Sequence, residues 1–221
     1  MTRPPERPAE PVREEGADVR DDGRAVVDVV FDVAGASLPS DNAWPLLQAI
    51  LGRLPWLATD ALAGIHPLRA VPTAYGVVLL AQRAKLVLRA PEARLADCLA
   101  LAGARLDIAG STLGVGTGRP RALQPNATLH AQRVAAGTGD EGEFQGEVAR
   151  WLRALDVDCR FISGRRRTAN AGGREIAGFA LALHGLGAED SLRIQGAGLG
   201  GDRRLGWGIF VPAKAIVAAE G

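Results

Sequence analysis

The chain has 221 residues, of which 47% are apolar and 23% charged, and its formal net charge is +1. That length is ample for one large domain or two small ones, and the composition is that of a soluble globular protein. The near-neutral balance excludes a protein that is basic throughout, so any nucleic-acid surface must be local, and aromatics at 5% argue against a reader that stacks bases on sheet aromatics.

Cys98 and Cys159 lie far apart with no C-x-x-C, which points to a reducing compartment and no structural zinc. No stretch approaches the roughly 20 apolar residues of a membrane helix. The first apolar run begins at Ala25, without the look of a signal peptide, so the expected compartment is the cytoplasm.

Residues 1–23 are rich in Pro, Arg, Glu and Asp and are expected to form a disordered tail. Ala25 to Val33 is β-branched almost throughout and predicts a strand. Asp41 or Ser40 then caps a predicted helix through about Arg53, with Trp44, Leu47, Ile50 and Leu51 on one face. Residues 60–72, which hold His66-Pro67, read as the edge of a second strand. Val77 to Leu88 reads as a third, carrying Arg83, Lys85 and Arg89. Pro91 sits where a helix begins, with Leu95, Cys98, Leu99 and Leu101 as its buried stripe, and Arg105 to Ile108 gives a fourth strand. The order β-α-β-β-α-β is a ferredoxin-like unit.

Gly116 to Asn126, with its glycines and prolines, reads as a connection, with a linker at 120–126 between domains at 24–119 and 127–221. The order then repeats: a strand at 127–135, a helix at 141–155, strands at 157–162 and 174–184, a short helix from Ala188 to about Gln195, and a last strand at 208–211. The expected class is α+β, two tandem ferredoxin-like domains. Between the second unit's two middle strands, Ser163 to Arg174 carries Arg165, Arg166, Arg167 and Arg174. On a hairpin tip they either contact RNA phosphates without reading sequence or form a solvated tip.

From Gly196 to Gly208, six of thirteen residues are glycine, and Arg203 and Arg204 are adjacent. Glycine admits φ > 0 and close ligand approach, free N–H groups in such turns form anion nests, and guanidinium groups match phosphate oxygens. Gly196, Gly198 and Gly201 fit G-x-G-x-x-G, but that fingerprint should open a helix with an acidic residue about 20 residues on. Here a strand follows and the chain is nearly over, so the dinucleotide reading fails; a plain surface turn stays open. Gly-Leu-Gly (198–200), five residues with both arginines, then Gly-Trp-Gly (206–208) resembles the glycine-rich signature of the CRISPR-associated RAMP superfamily, and most closely its repeat-RNA-processing endoribonucleases of the Myxococcus-subtype branch. Leu62 to Leu68, Leu101 to Gly103, Leu106 to Gly110, Gly178 to Leu181 and Glu189 to Gln195 are similar to stretches of that branch, in the same order.

The resemblance implies tandem ferredoxin-like domains and CRISPR precursor RNA as substrate and partner. Other CRISPR effector-complex subunits are candidate partners; no cofactor, metal or membrane is expected. RNA carries its own nucleophile, the 2′-OH, so cleavage needs a base, an acid and something to offset phosphorane charge. Of three histidines, His130 reads as a sheet-face residue and His184 as a strand end. His66 is open to a structural reading from its own surroundings; the resemblance makes it the general acid or base. Lys85, with Arg83 or Arg69, is a candidate for supporting charge and Tyr75 for orienting the 2′-OH, each with an exposed-face or turn alternative. Gly198, Gly200, Gly201, Arg203, Arg204, Gly206, Trp207 and Gly208 are the expected RNA-positioning loop, Trp207 standing where relatives carry a small residue and offering a ring to stack on a base. The competing function is a RAMP-type subunit that holds guide RNA without cutting it.

Overall fold

The computed structural model describes residues 24–73 and 76–213. The expected tail at 1–23 and the candidate Tyr75 lie outside them.

The first unit runs β1 (Val26–Ala34), β2 (Ser37–Pro39), α1 (Ala43–Leu51), β3 (Gly64–Ile65), β4 (Ala70–Pro72), β5 (Val77–Leu80), β6 (Lys85–Pro91), α2 (Leu95–Leu99), β7 (Arg105–Ile108) and β8 (Ser111–Ala122). Strands β3-β6-β1-β8-β7 form one antiparallel sheet, and β2-β5-β4 a small second one. Side chains alternate across β1 and β6. Val27, Val29 and Phe31, with Leu86, Leu88 and Ala90, face the core beneath α1 and α2. Asp28 and Asp32 stand on the other face, opposite Arg89 and Lys85 in the register.

The second unit runs β9 (Thr128–Ala135), α3 (Glu141–Ala154), β10 (Arg160–Ala171), β11 (Arg174–His184), α4 (Ala188–Ala197) and β12 (Val211–Pro212), with sheet order β10-β11-β9-β12. Asp140 caps α3 by accepting the Glu143 N–H at 2.9 Å. The helix buries Phe144, Val148 and Leu152, and Phe144 stacks on Phe179 at 4.9 Å between centroids. In both units the pairing is that of a ferredoxin-like βαββαβ fold, the fourth strand lying beside the first.

Five sequence expectations change. The fourth strand of the first unit is β8 rather than Arg105–Ile108, which forms an added hairpin strand at the sheet edge. The expected connection 116–126 is therefore mostly sheet, with β8 paired to β1 as far as Ala122. Its glycines make room rather than slack: a Cβ on Gly118 would overlap the Phe31 ring. The expected strand 77–88 is broken at 81–84, where Ala84 N donates back to Ala81 O at 2.8 Å. Pro91 ends β6, and a 3₁₀ turn at Glu92–Arg94 comes before α2. Asn42, not Asp41 or Ser40, stands at the N-cap of α1.

Two apolar clusters form the interior. The larger is not confined to the first unit, because Ala135, Ala171, Ile176, Leu205 and Trp207 pack into it. The two sheets thereby meet with their polar faces across a cleft.

Candidate active site

The cleft has a volume of about 760 Å³ and is walled by the polar face of β1, β6 and β8 on one side and by β9 and β12 on the other. His66, Arg69, Arg83, Lys85, Arg121 and His130 all line it. A second recess of about 520 Å³ shares Pro67 and Gln132 with it and continues past Arg133, Arg167 and Asn170.

His66 follows the two-residue strand β3, and its N–H donates to Val87 O at 2.9 Å, which extends the pairing with β6 by one step. Pro67 has no N–H and ends the pairing there. The imidazole Nε2 lies 3.3 Å from Asp28 Oδ1. Arg89 donates to Asp28 through Nε at 2.8 Å and Nη2 at 3.2 Å, and Arg121 donates through Nη2 at 2.9 Å. Arg89 is 1% exposed, and its remaining Nη1 donates to the carbonyls of Gln195 and Phe210 at 2.9 and 2.8 Å, both in the second unit. Burial pushes the imidazole below its ordinary 6.5; the Asp28 bond pulls upward, and the charges of Arg89 and Arg121 add to the fall. The ring is neutral at pH 7 and able to accept a proton. Burial by itself would raise the Asp28 carboxyl, but the bonds from His66 and Arg89 hold it well below the usual carboxylate range.

Lys85 is in the cleft wall, but its ammonium is paired with Asp32, and that bond holds the Asp32 carboxyl below its ordinary value. Arg83 and Arg69 are exposed at the rim. His130 stands on β9 between Ala182 and Val211, its pKa lowered by burial and then by Arg167. His184 meets Thr128 Oγ1 at 3.4 Å, as a strand-end residue does.

The glycine loop is brought against the His66 segment. A Cβ on Gly206 would sit 3.1 Å from Ile65 O and 3.1 Å from Pro67 Cγ. Its construction differs from an open nest. Gly198, Gly200, Gly206 and Gly208 all have positive φ, and a Cβ on Gly208 would overlap the Leu199 carbonyl. Gly201 alone of the loop's candidate glycines has open space at that position. Trp207 is fully buried, and its ring lies beneath the Arg133 guanidinium at 5.3 Å, so it has no face for a base. Arg133 also donates to Gly206 O at 3.2 Å and Leu205 O at 3.0 Å. Arg203 is 8% exposed and donates to Gly196 O at 2.8 Å and Leu62 O at 3.3 Å, tying the loop to the first unit. Burial brings its pKa down to about 9, still charged at neutral pH. Arg204 reaches Ala58 O. The expected RNA roles of Arg203 and Trp207 thus give way to structural ones, because both side chains are enclosed by the packing that joins the units.

Arg165, Arg166 and Arg167 are exposed, but they lie on β10 itself at a bulge rather than on a loose tip. The turn is at Gly172-Gly173, and a Cβ on Gly172 would come 2.7 Å from the Trp44 ring of α1. Arg174 pairs with Asp202. The ribbon is therefore anchored at its end, with Arg165, Arg166 and Arg167 consecutive on β10 and Arg174 at the start of β11.

A family model described as "Cas6 Crispr" matches residues 27–215. The chain belongs to the Cas6 family. A Cas6 relative, the CRISPR-associated endonuclease of Myxococcus xanthus (strain DK1622), is 39% identical over 187 residues, covering 84% of this chain and 81% of that protein. A solved structure described as a RAMP protein binding different RNA substrates superposes with a TM-score of 0.62 at 12% identity, over 85% of this chain and 100% of that one. A Cas6-related protein of Pyrococcus furiosus gives 0.60 at 10% identity, over 86% and 99%. At such identities the structural likeness is one of fold, and the fold is that of Cas6 and RAMP proteins.

Three residues at the centre of this Cas6 cleft, Asp28, Arg89 and Arg121, were not singled out as site residues by the sequence. Asp28 looked like one polar interruption in a strand and Arg121 fell in an expected linker. The available signal was the period of two, which puts Asp28 and Asp32 on one face of β1 and Lys85 and Arg89 on one face of β6.

Proposed function

We propose that this Cas6 protein is an endoribonuclease that cuts CRISPR precursor RNA within its repeats. The attack is by the 2′-OH, requires no metal, and leaves a 2′,3′-cyclic phosphate upstream and a 5′-OH downstream. The observation that carries this reading is that His66 stands in the wall of a cleft also lined by Arg69, Arg83, Lys85 and Arg121. A polyanion is drawn to such a surface, and the reacting hydroxyl arrives with the substrate, so the protein's task is proton transfer and charge stabilisation.

In this reading His66 takes the 2′-OH proton. Arg121, whose side chain is 57% exposed beside Asp28, is better placed than the Asp32-bound Lys85 to face the developing phosphorane charge. Arg83 and Arg69 at the rim and Arg165, Arg166 and Arg167 on β10 contact phosphates outside the reacting step. The glycine loop serves by holding the two units, and therefore the two walls, in register.

The test is labelled repeat RNA incubated in EDTA beside a substrate with a 2′-deoxy sugar at the cut site, each with the native protein and with His66→Ala. The reading expects cleavage of the first substrate only, and only by the native protein. A magnesium requirement, or cleavage of the deoxy substrate, overturns it. Tight RNA binding with no cleavage by the native protein would instead identify a guide-RNA-holding subunit.

A further inference from the structure

Asp28 accepts four hydrogen bonds in a site where its side chain is 4% exposed. Oδ1 takes His66 Nε2 and Arg89 Nε; Oδ2 takes Arg89 Nη2 and Arg121 Nη2. A carboxylate has about four lone-pair sites, and these contacts fill them. Two guanidinium groups already over-balance the charge, so the carboxylate has no electrostatic need of an imidazole. Arg89 cannot swing away, because Nη1 is engaged by the Gln195 and Phe210 carbonyls. The carboxylate is thus clamped at a fixed angle, with one oxygen presented to the His66 ring.

We propose that Asp28 is a positioning residue for cleavage: it holds His66 with its proton on Nε2, so that the lone pair on Nδ1 is the one that accepts the 2′-hydroxyl proton. This rests on the reading of His66 as the base. A carboxylate accepts and cannot donate, so only the Nε2–H tautomer makes this bond. In the reaction the O2′–P bond forms, its proton passes to Nδ1, and the P–O5′ bond breaks. The 5′ oxygen leaves with a proton taken from solvent, and the imidazolium later returns its own, so the step is proton-neutral. The charges facing the ring are Asp28 from β1, Arg89 from β6 and Arg121 from β8. Since Arg89 hangs from carbonyls of the second unit, the angle of the imidazole depends on how the two units dock.

Asp28→Asn tests this. Its carboxamide keeps the shape, but the orientation that leaves its oxygen on Arg89 Nη2 and Arg121 Nη2 turns its NH₂ to the His66 ring and to Arg89 Nε, and an NH₂ facing the ring selects the opposite tautomer. The expected result is a single-turnover cleavage rate lower by up to ~10⁴, the scale of losing the correct tautomer in a triad, with no loss of RNA affinity. The pH at which the residual rate reaches half its plateau moves down, because the one charge raising the His66 pKa is gone. Native cleavage rate and an unmoved pH profile in Asp28→Asn, with His66→Ala inactive, overturn the positioning role and leave the base assignment standing. Native cleavage by His66→Ala sinks the base assignment itself. Should Asp28→Asn fail to fold, ¹⁵N imidazole resonances of the native protein decide, assigned by the signal lost in His66→Ala. An Nε2–H tautomer at neutral pH supports the proposal, and an Nδ1–H tautomer overturns it.

Discussion

Replacing Trp207 by alanine separates the two meanings of the glycine loop. The ring is fully buried in the larger core cluster, against residues of the other unit, and the Arg133 guanidinium lies 5.3 Å from its centroid. Removing a buried Trp costs about 3–5 kcal/mol, and loss of the cation–π contact accounts for up to ~1 kcal/mol of such a total. In a chain of this size each kcal/mol lowers the melting temperature by about 2–4 °C, so a fall of roughly 10 °C follows. Trp207 Nε1 has no hydrogen-bond partner among the described residues. Trp207→Phe therefore gives up no hydrogen bond and should melt between the two. The assay is thermal unfolding paired with RNA affinity measured well below the transition. If Trp207→Ala melts like the native protein yet binds RNA more than tenfold more weakly, the ring stacks on a base and the interior role is wrong.

The other predictions are these. Asp140→Ala removes the cap of α3 and should cost about 1 kcal/mol in chemical unfolding without altering cleavage. Changing Arg165, Arg166 and Arg167 together to alanine should weaken RNA binding and flatten the plot of log affinity against log salt by roughly 2; an unchanged slope would place the RNA elsewhere. Cleavage should rise with pH through a value below 6.5 and then level off, since burial depresses the His66 pKa. The same shift sets a stability effect: the unfolded chain protonates at a higher pH than the folded one, so this contribution is complete above 6.5 and is lost as pH falls through the folded value. His66→Gln should remove that part of the acid sensitivity in a pH series of melting curves.

What was legible in the sequence was local. β-branched runs, the amphipathic α3 and the glycine-arginine stretch each carry their signal within about fifteen residues, and the repeated strand-helix order followed from them. Asp28 and Arg89 could not be paired that way: they are 61 positions apart and meet only through the β1–β6 register. β8 was misread because glycine and proline mark loops by default. Here Gly118 admits the Phe31 ring, and Pro120 sits beyond the stretch paired to β7, where its missing N–H breaks no ladder with that strand. Trp207 and Arg203 were assigned outward because the motif's neighbours in space, Arg133 and Leu62, lie far away in sequence. A glycine-rich turn that holds two units together and one that holds a phosphate share the same residue types. Burial alone separates them.

The chemistry is tested most directly by the ends of the products. After cleavage of repeat RNA in EDTA, mass spectrometry of the upstream fragment should show a 2′,3′-cyclic phosphate, lighter by one water than the open phosphate, and the downstream fragment should carry a 5′-hydroxyl. A 3′-hydroxyl upstream with a 5′-phosphate downstream would mean that water, rather than the 2′-OH beside His66, attacks the phosphorus.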